Sequence, residues 1–231
     1  MEEASNYPPM TQLDPQVPTK PNPSSLNNKA RLPYGLQAKH VLSAMNDFVD
    51  WLAHVNSPVK SQTVPRLETV LMPANFSSVV GERMCACLPT HCRTIAKNNH
   101  HNGHPDLLPA GKFPLNKAQH VQEGIEVKGS RYLKGWQGHN AEDCWLMVFV
   151  FDSNRPEDLG ETAGMTPKKL IQATPRPFQF LLVACARLNR ADWTFSGRSA
   201  TSRRTITASV NASGYTKMMA NWIYRAPGVK P

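Results

Sequence analysis

The chain has 231 residues and a formal charge of +9 at neutral pH, with a pI near 9.5. That length allows one sizeable α/β core with a helical appendage and excludes two full domains with linkers, and the charge asks for a polyanionic partner. No apolar run approaches the length that spans a bilayer, no signal peptide is recognisable, and five cysteines at irregular spacing do not read as a disulfide framework, so a soluble cytoplasmic protein without a membrane role is expected.

Residues 1–34 are crowded with proline, asparagine and serine and lack apolar periodicity, which predicts an extended or disordered arm. From Gln37 to Val55 the apolar residues Val41, Leu42, Met45, Phe48, Val49 and Leu52 recur at helical spacing, and Ser57-Pro58 ends the helix. Ser77 or Ser78 can cap a second helix through Val80, Met84 and Leu88 that stops at Pro89. Cys85, Cys87 and Cys92 with His91 match no common zinc spacing and read as buried thiols.

A polar loop, residues 97–103, leads to His104-Pro105-Asp106, and a weak strand follows to Phe113, interrupted by Pro109. Residues 123–130 read as a strand, and a glycine-rich connection containing Trp136, Gln137, His139 and Asn140 comes next. Residues 144–152 and 178–188 are nearly continuously apolar, as strands covered on both faces are. Strands interleaved with helices argue for an α/β fold with a mixed central sheet flanked by helices. The expected organisation is an arm (1–34), a helical segment (35–74), a core (75–190) and a basic C-terminal segment of the same domain (191–231).

The chemistry concentrates in Pro105-Asp106 and Glu126-Val127-Lys128. The strand period of two puts Glu126 and Lys128 on one face and turns Val127 to the other, so Asp106 and Glu126 can offer hard oxygen ligands to one divalent cation beside an ammonium. The plain alternative is a Glu126–Lys128 ion pair on a half-buried strand.

This pattern resembles the PD-(D/E)XK nucleases, the fold shared by many restriction endonucleases and repair nucleases, over roughly residues 75–190. The resemblance implies a restriction-endonuclease-like core, Mg²⁺ held by Asp106 and Glu126, and Lys128 as the water-activating residue. It also implies a third metal-proximal carboxylate on the preceding helix, for which Glu82 is the candidate with Glu68 behind it. The substrate implied is double-stranded DNA, cut by a stand-alone restriction-type homodimer without a nucleotide cofactor. Phosphate contacts are expected from Arg131, Lys134, Gln137 and Asn140 near the site, and from Arg198, Arg203 and Arg204 in a basic run interleaved with Trp193 and Phe195. Among the histidines at 100, 101 and 104, His104 is the one to follow because it adjoins Asp106. The competing class is a nucleic-acid-binding or viral structural protein without chemistry, and action on RNA or branched DNA is a third reading.

Overall fold

The computed structural model describes residues 17–57, 66–138, 143–154, 176–195 and 208–230. In chain order the helices are α1 (Ala38–Asn56), α2 (Leu67–Val70), α3 (Pro73–His91) and α4 (Ala212–Ala220). The strands are β1 (Ile95–Lys97), β2 (Leu107–Pro109), β3 (Ile125–Ser130), β4 (Gln137–Gly138), β5 (Trp145–Asp152), β6 (Gln179–Arg187), β7 (Trp193–Phe195), β8 (Ala208–Val210) and β9 (Trp222–Arg225). A six-stranded mixed sheet has the order β1-β2-β3-β5-β6-β9, in which only β3 and β5 run parallel. A small antiparallel sheet, β4-β8-β7, forms a second layer.

The run of apolar residues in β5 is explained by two covered faces. Met147, Phe149 and Phe151 join the core under α1 and α3, with Phe48, Phe76, Phe178 and Phe180. Leu146, Val148 and Val150 join Trp136, Trp193, Val210 and Met218 beneath the small sheet and α4. The expectation of a mixed sheet flanked by helices holds in that form, although much of the second face is covered by strands. The segment after residue 190 is part of the same fold, since β9 returns to the main sheet beside β6.

Two boundaries differ from expectation. Helix α3 begins four residues before Ser77, because Pro73 supplies a first-turn residue whose missing N–H costs nothing there. Ser77 and Ser78 do not cap; their hydroxyls donate back to the carbonyls of Pro73 and Ala74. At the other end the helix runs through Pro89 to His91. The described part of the arm is extended and also docked: Thr19 N–H donates to Phe178 O (2.7 Å) and Asn27 N–H to Ile223 O (2.8 Å), with a bridge from Leu26 to Tyr224. It thereby covers the β9 edge, whose backbone groups would otherwise be open to another strand. Among the described residues, no helix is long and apolar enough to cross a membrane.

Helix α3 meets β3 through two glycines. A Cβ at Gly129 would lie 2.3 Å from the Ser77 carbonyl oxygen, whereas one at Gly81 would make its nearest contact at an ordinary 3.5 Å, to Gly129 N. The two positions should therefore respond oppositely to the same change. Gly129→Ala should destabilise by about 1–3 kcal/mol through overpacking, and Gly81→Ala should be neutral or gain up to about 1 kcal/mol from helix propensity, both read from urea denaturation midpoints.

Candidate active site

Asp106 lies just before β2, which pairs with β3 only at Leu107 and Ile125. Two residues further along β3, the Val127 N–H has the Asp106 side chain as its partner, Oδ2 accepting at 2.8 Å. A carboxylate thus extends the ladder where the backbone of β2 has turned away. The backbone of Asp106 is fixed as well. Asn98 N–H donates to Asp106 O (2.8 Å), and the Asn98 side-chain amide donates to Pro105 O (3.0 Å) and Ala118 O (2.7 Å) while its oxygen accepts from Ala118 N–H (3.1 Å). Asn98 is buried, so each of these bonds satisfies a group that water cannot reach.

Glu126 is buried in β3, with its side chain on the face opposite Val127, which packs into the core under α3. Lys128 Nζ donates to Glu126 Oε1 at 2.7 Å, and His104 Nδ1 donates to Oε2 at 3.1 Å. The imidazole of His104 stacks on His120, ring centroids 5.0 Å apart. The chain around it is held by His104 N–H to Gln119 O (3.0 Å) and Val121 N–H to His104 O (3.0 Å).

Asp106 and Glu126 are neighbours, and the charge of each bears on the ionisation of the other. Burial first, and then the charge of Glu126, push the Asp106 carboxyl up to about 7, against the opposing pull of the Val127 N–H and Lys128. Burial also works against ionising Glu126, but the hydrogen bonds and charges of His104 and Lys128 outweigh it and hold that carboxyl below its ordinary range. One carboxylate is charged and clamped; the other is a crowded acid that ionises only near neutrality. Beside Lys128 a cleft of about 400 Å³ opens, lined by Ser77 of α3, Gly129, Ser130, Tyr132, Trp136 and Gln137 among others.

Glu126 and Lys128 form the ion pair of the plain alternative, and the Asp106 carboxylate sits beside them on the Val127 N–H. Glu82 does not join them: its carboxylate is exposed and paired with Lys97 at 2.9 Å. Among the described residues, no three His, Cys, Asp or Glu side chains form a group able to hold a metal. Glu68 is buried elsewhere, accepting from Asn56 Nδ2 at 2.9 Å, with Arg66 beside it. Arg131 was expected on phosphate, but its guanidinium serves the fold. It donates to the carbonyls of Ser153 (2.9 Å) and Asn154 (3.3 Å) and lies over the rings of Phe76 and Phe151. Lys134 is exposed with its ammonium over Tyr215, and Gln137 is exposed on the cleft. Asn140, Arg198, Arg203 and Arg204 lie outside the described residues, as does His139. Cys85, Cys87 and Cys92 are buried free thiols.

Two contributors escaped sequence reasoning. His120 is sixteen residues from the ring it stacks on, and Asn98 sits in a run of polar residues that reads as plain loop. Only the adjacency of His104 to Asp106 offered any signal.

Comparison with known proteins found no matching family model, no matching curated protein and no matching solved structure.

The raised Asp106 pKa has a definite pH signature in the metal-free protein. The folded state holds this proton up to about 7, while the unfolded chain releases it near the ordinary aspartate value of 3.8. Stability therefore falls as pH rises through that window, and the loss is complete above it. Asp106→Asn keeps an oxygen for the Val127 N–H and removes the charge. In EDTA it should match wild type at pH 3, below that window, and exceed it at pH 8 by more than about 1 kcal/mol, roughly one pKa unit, by chemical denaturation.

Proposed function

We propose that this protein is a Mg²⁺-dependent endonuclease of the PD-(D/E)XK type that hydrolyses phosphodiester bonds in double-stranded DNA as a stand-alone restriction-type enzyme. The observation that carries the reading is the Glu126–Lys128 pair with the Asp106 carboxylate on the intervening Val127 N–H, Lys128 being the member that lines the cleft. A protein that only bound a polyanion would gain nothing from crowding two carboxylates where phosphate enters. A net charge of +9 agrees with a nucleic-acid substrate, and cutting both strands of a two-fold site calls for two copies of the centre, hence a homodimer.

The donor set fits Mg²⁺, which is bound through one or two carboxylates with water and substrate phosphate completing its shell. Burial, and after it the charge of Glu126, raise Asp106, and a divalent cation held there would favour its ionised form against both. Asp106 and Glu126 would hold the ion. When bound, it supplies Lewis-acid polarisation of the phosphate and a lowered pKa for a coordinated water. Lys128, 2.7 Å from Glu126, orients the attacking water and meets the negative charge that builds on the phosphoryl oxygens. His104 fixes the Glu126 carboxylate through Oε2, so that its lone pairs keep one direction. Attack by water breaks the P–O3′ bond, leaving a 5′-phosphate and a 3′-hydroxyl. Gln137 and Ser130 line the continuation of the cleft and suit contacts to the strand beyond the cut.

Supercoiled plasmid incubated with the protein should be nicked and linearised with Mg²⁺ and remain intact in EDTA. Lys128→Ala should slow cleavage by about 10²–10³-fold, the range for removing one preorganised charge from a transition state. Asp106→Ala and Glu126→Ala should abolish it while DNA binding is kept or tightened, because negative charge leaves the cleft. Mg²⁺ should raise the melting temperature of wild type and not of Glu126→Gln. Intact plasmid with wild type under all these conditions, or parallel loss of binding and cleavage in the variants, would overturn the assignment.

A further inference from the structure

The turn that follows β2 carries a side chain the fold has no use for. Leu115 is 79% exposed, and its backbone lies in the left-handed region at φ 53°, ψ 21°, followed by Asn116 at φ 51°. Two consecutive left-handed residues closed by Lys117 N–H to Pro114 O (3.0 Å) form the kind of turn that takes glycine, asparagine or aspartate at its centre. Asn116 obeys that preference. Leucine at the first central position does not, since its Cβ crowds the following carbonyl. A residue that is both apolar in water and strained in its backbone persists only where the surroundings impose it, and such outliers collect at functional sites.

The surroundings do impose it. Asn99 N–H donates to Asn116 O (2.8 Å) and Asn99 Nδ2 to Leu115 O (2.9 Å), while the Asn116 side chain accepts from Gly111 N–H (2.9 Å). The preceding residue, Asn98, is the one that fixes the backbone of Pro105, Asp106 and Ala118. Two consecutive asparagines thus tie the leucine tip on one side and the carboxylate loop on the other. Residues 110–117 contain Lys112 and Lys117 and no acid; Lys112 reaches back to Glu123, and Lys117 is exposed.

We propose that Leu115 is a wedge that enters between stacked base pairs of the bound duplex, with Lys117 on the adjoining phosphate. A rigid apolar tip beside a cation is the equipment with which proteins part a base step: the side chain replaces the stacking surface it displaces, and the duplex is locally unwound and bent. A polyanionic duplex fits this tip better than an apolar protein surface does, because one exposed leucine between Pro114 and the polar Asn116-Lys117 offers too little apolar area for protein docking. The inference rests on the nucleic-acid reading of the site and adds a distortion of the substrate to it.

Unwinding can be measured without cleavage. Closed circular plasmid is relaxed by a metal-independent topoisomerase in EDTA with saturating full-length protein, and the topoisomers are resolved after the protein is removed. Wild type should leave the plasmid negatively supercoiled. Leu115→Ala and Leu115→Asn should reduce that shift at least threefold at equal occupancy by gel retardation, and Leu115→Met should retain it. Leu115→Asn should melt at the same temperature as wild type or higher, because asparagine suits the turn, which separates loss of the wedge from loss of the fold. Binding without unwinding, or equal unwinding by Leu115→Asn, overturns the wedge and leaves the nuclease reading standing. Failure of wild type to bind plasmid overturns both. A change in sedimentation on Leu115→Asn places the residue in a contact between two copies and also overturns the wedge.

Discussion

Helix α3 lies on β3 with backbone against backbone: the Ser77 carbonyl oxygen occupies the space that a side chain at Gly129 would need. This contact uses up one face of β3. Val127 shares that face and is buried in the core beneath the helix, so strand alternation sends Glu126 and Lys128 to the opposite side. There the second layer provides Trp136 and Gln137 beside Val148 but leaves a cleft. The polar groups of β3 are consequently neither in the core nor in open solvent; they stand at the margin of a layer, where burial is enough to shift their ionisation and access is preserved.

Electrostatics at that margin is asymmetric. Glu126 has a donor on each carboxylate oxygen, Lys128 on one and His104 on the other, whereas Asp106 has a backbone N–H and a charged neighbour. Two chemically similar acids therefore differ in their readiness to ionise because of what surrounds them, a division that hydrolytic sites use repeatedly. At neutral pH the raised Asp106 carboxyl costs the fold stability, whereas Glu126, held below its ordinary range by Lys128 and His104, contributes to it.

Much of this was legible in the sequence, for identifiable reasons. Helix α1 announces itself by apolar spacing, and β5 and β6 by apolar runs long enough for two covered faces. Glu126 and Lys128 share a face because strand periodicity leaves no alternative. What escaped depends on partners distant in the chain. The three-residue strands β1, β7 and β8 carry no periodicity of their own and exist because something pairs with them. Strand β9 and the docked arm form each other's boundary across about two hundred residues. Arg131 looked like a phosphate contact because a charge beside Glu126-Val127-Lys128 invites it, yet two carbonyls and two phenyl rings claim the guanidinium, and no local pattern records that. Proline at 73 was the better marker of the α3 start than the serines after it.

The bonding of Asn98 reaches beyond local order. Its amide and backbone join residues 105–106 to residue 118, and Asn99 joins the same strand end to residues 115–116, so the acid and the exposed tip belong to one stiff body. Neither can be displaced alone. A ligand that touched both would meet them at one fixed interval, so the pair would act as a ruler on any repeat in that ligand before a side chain read its chemistry.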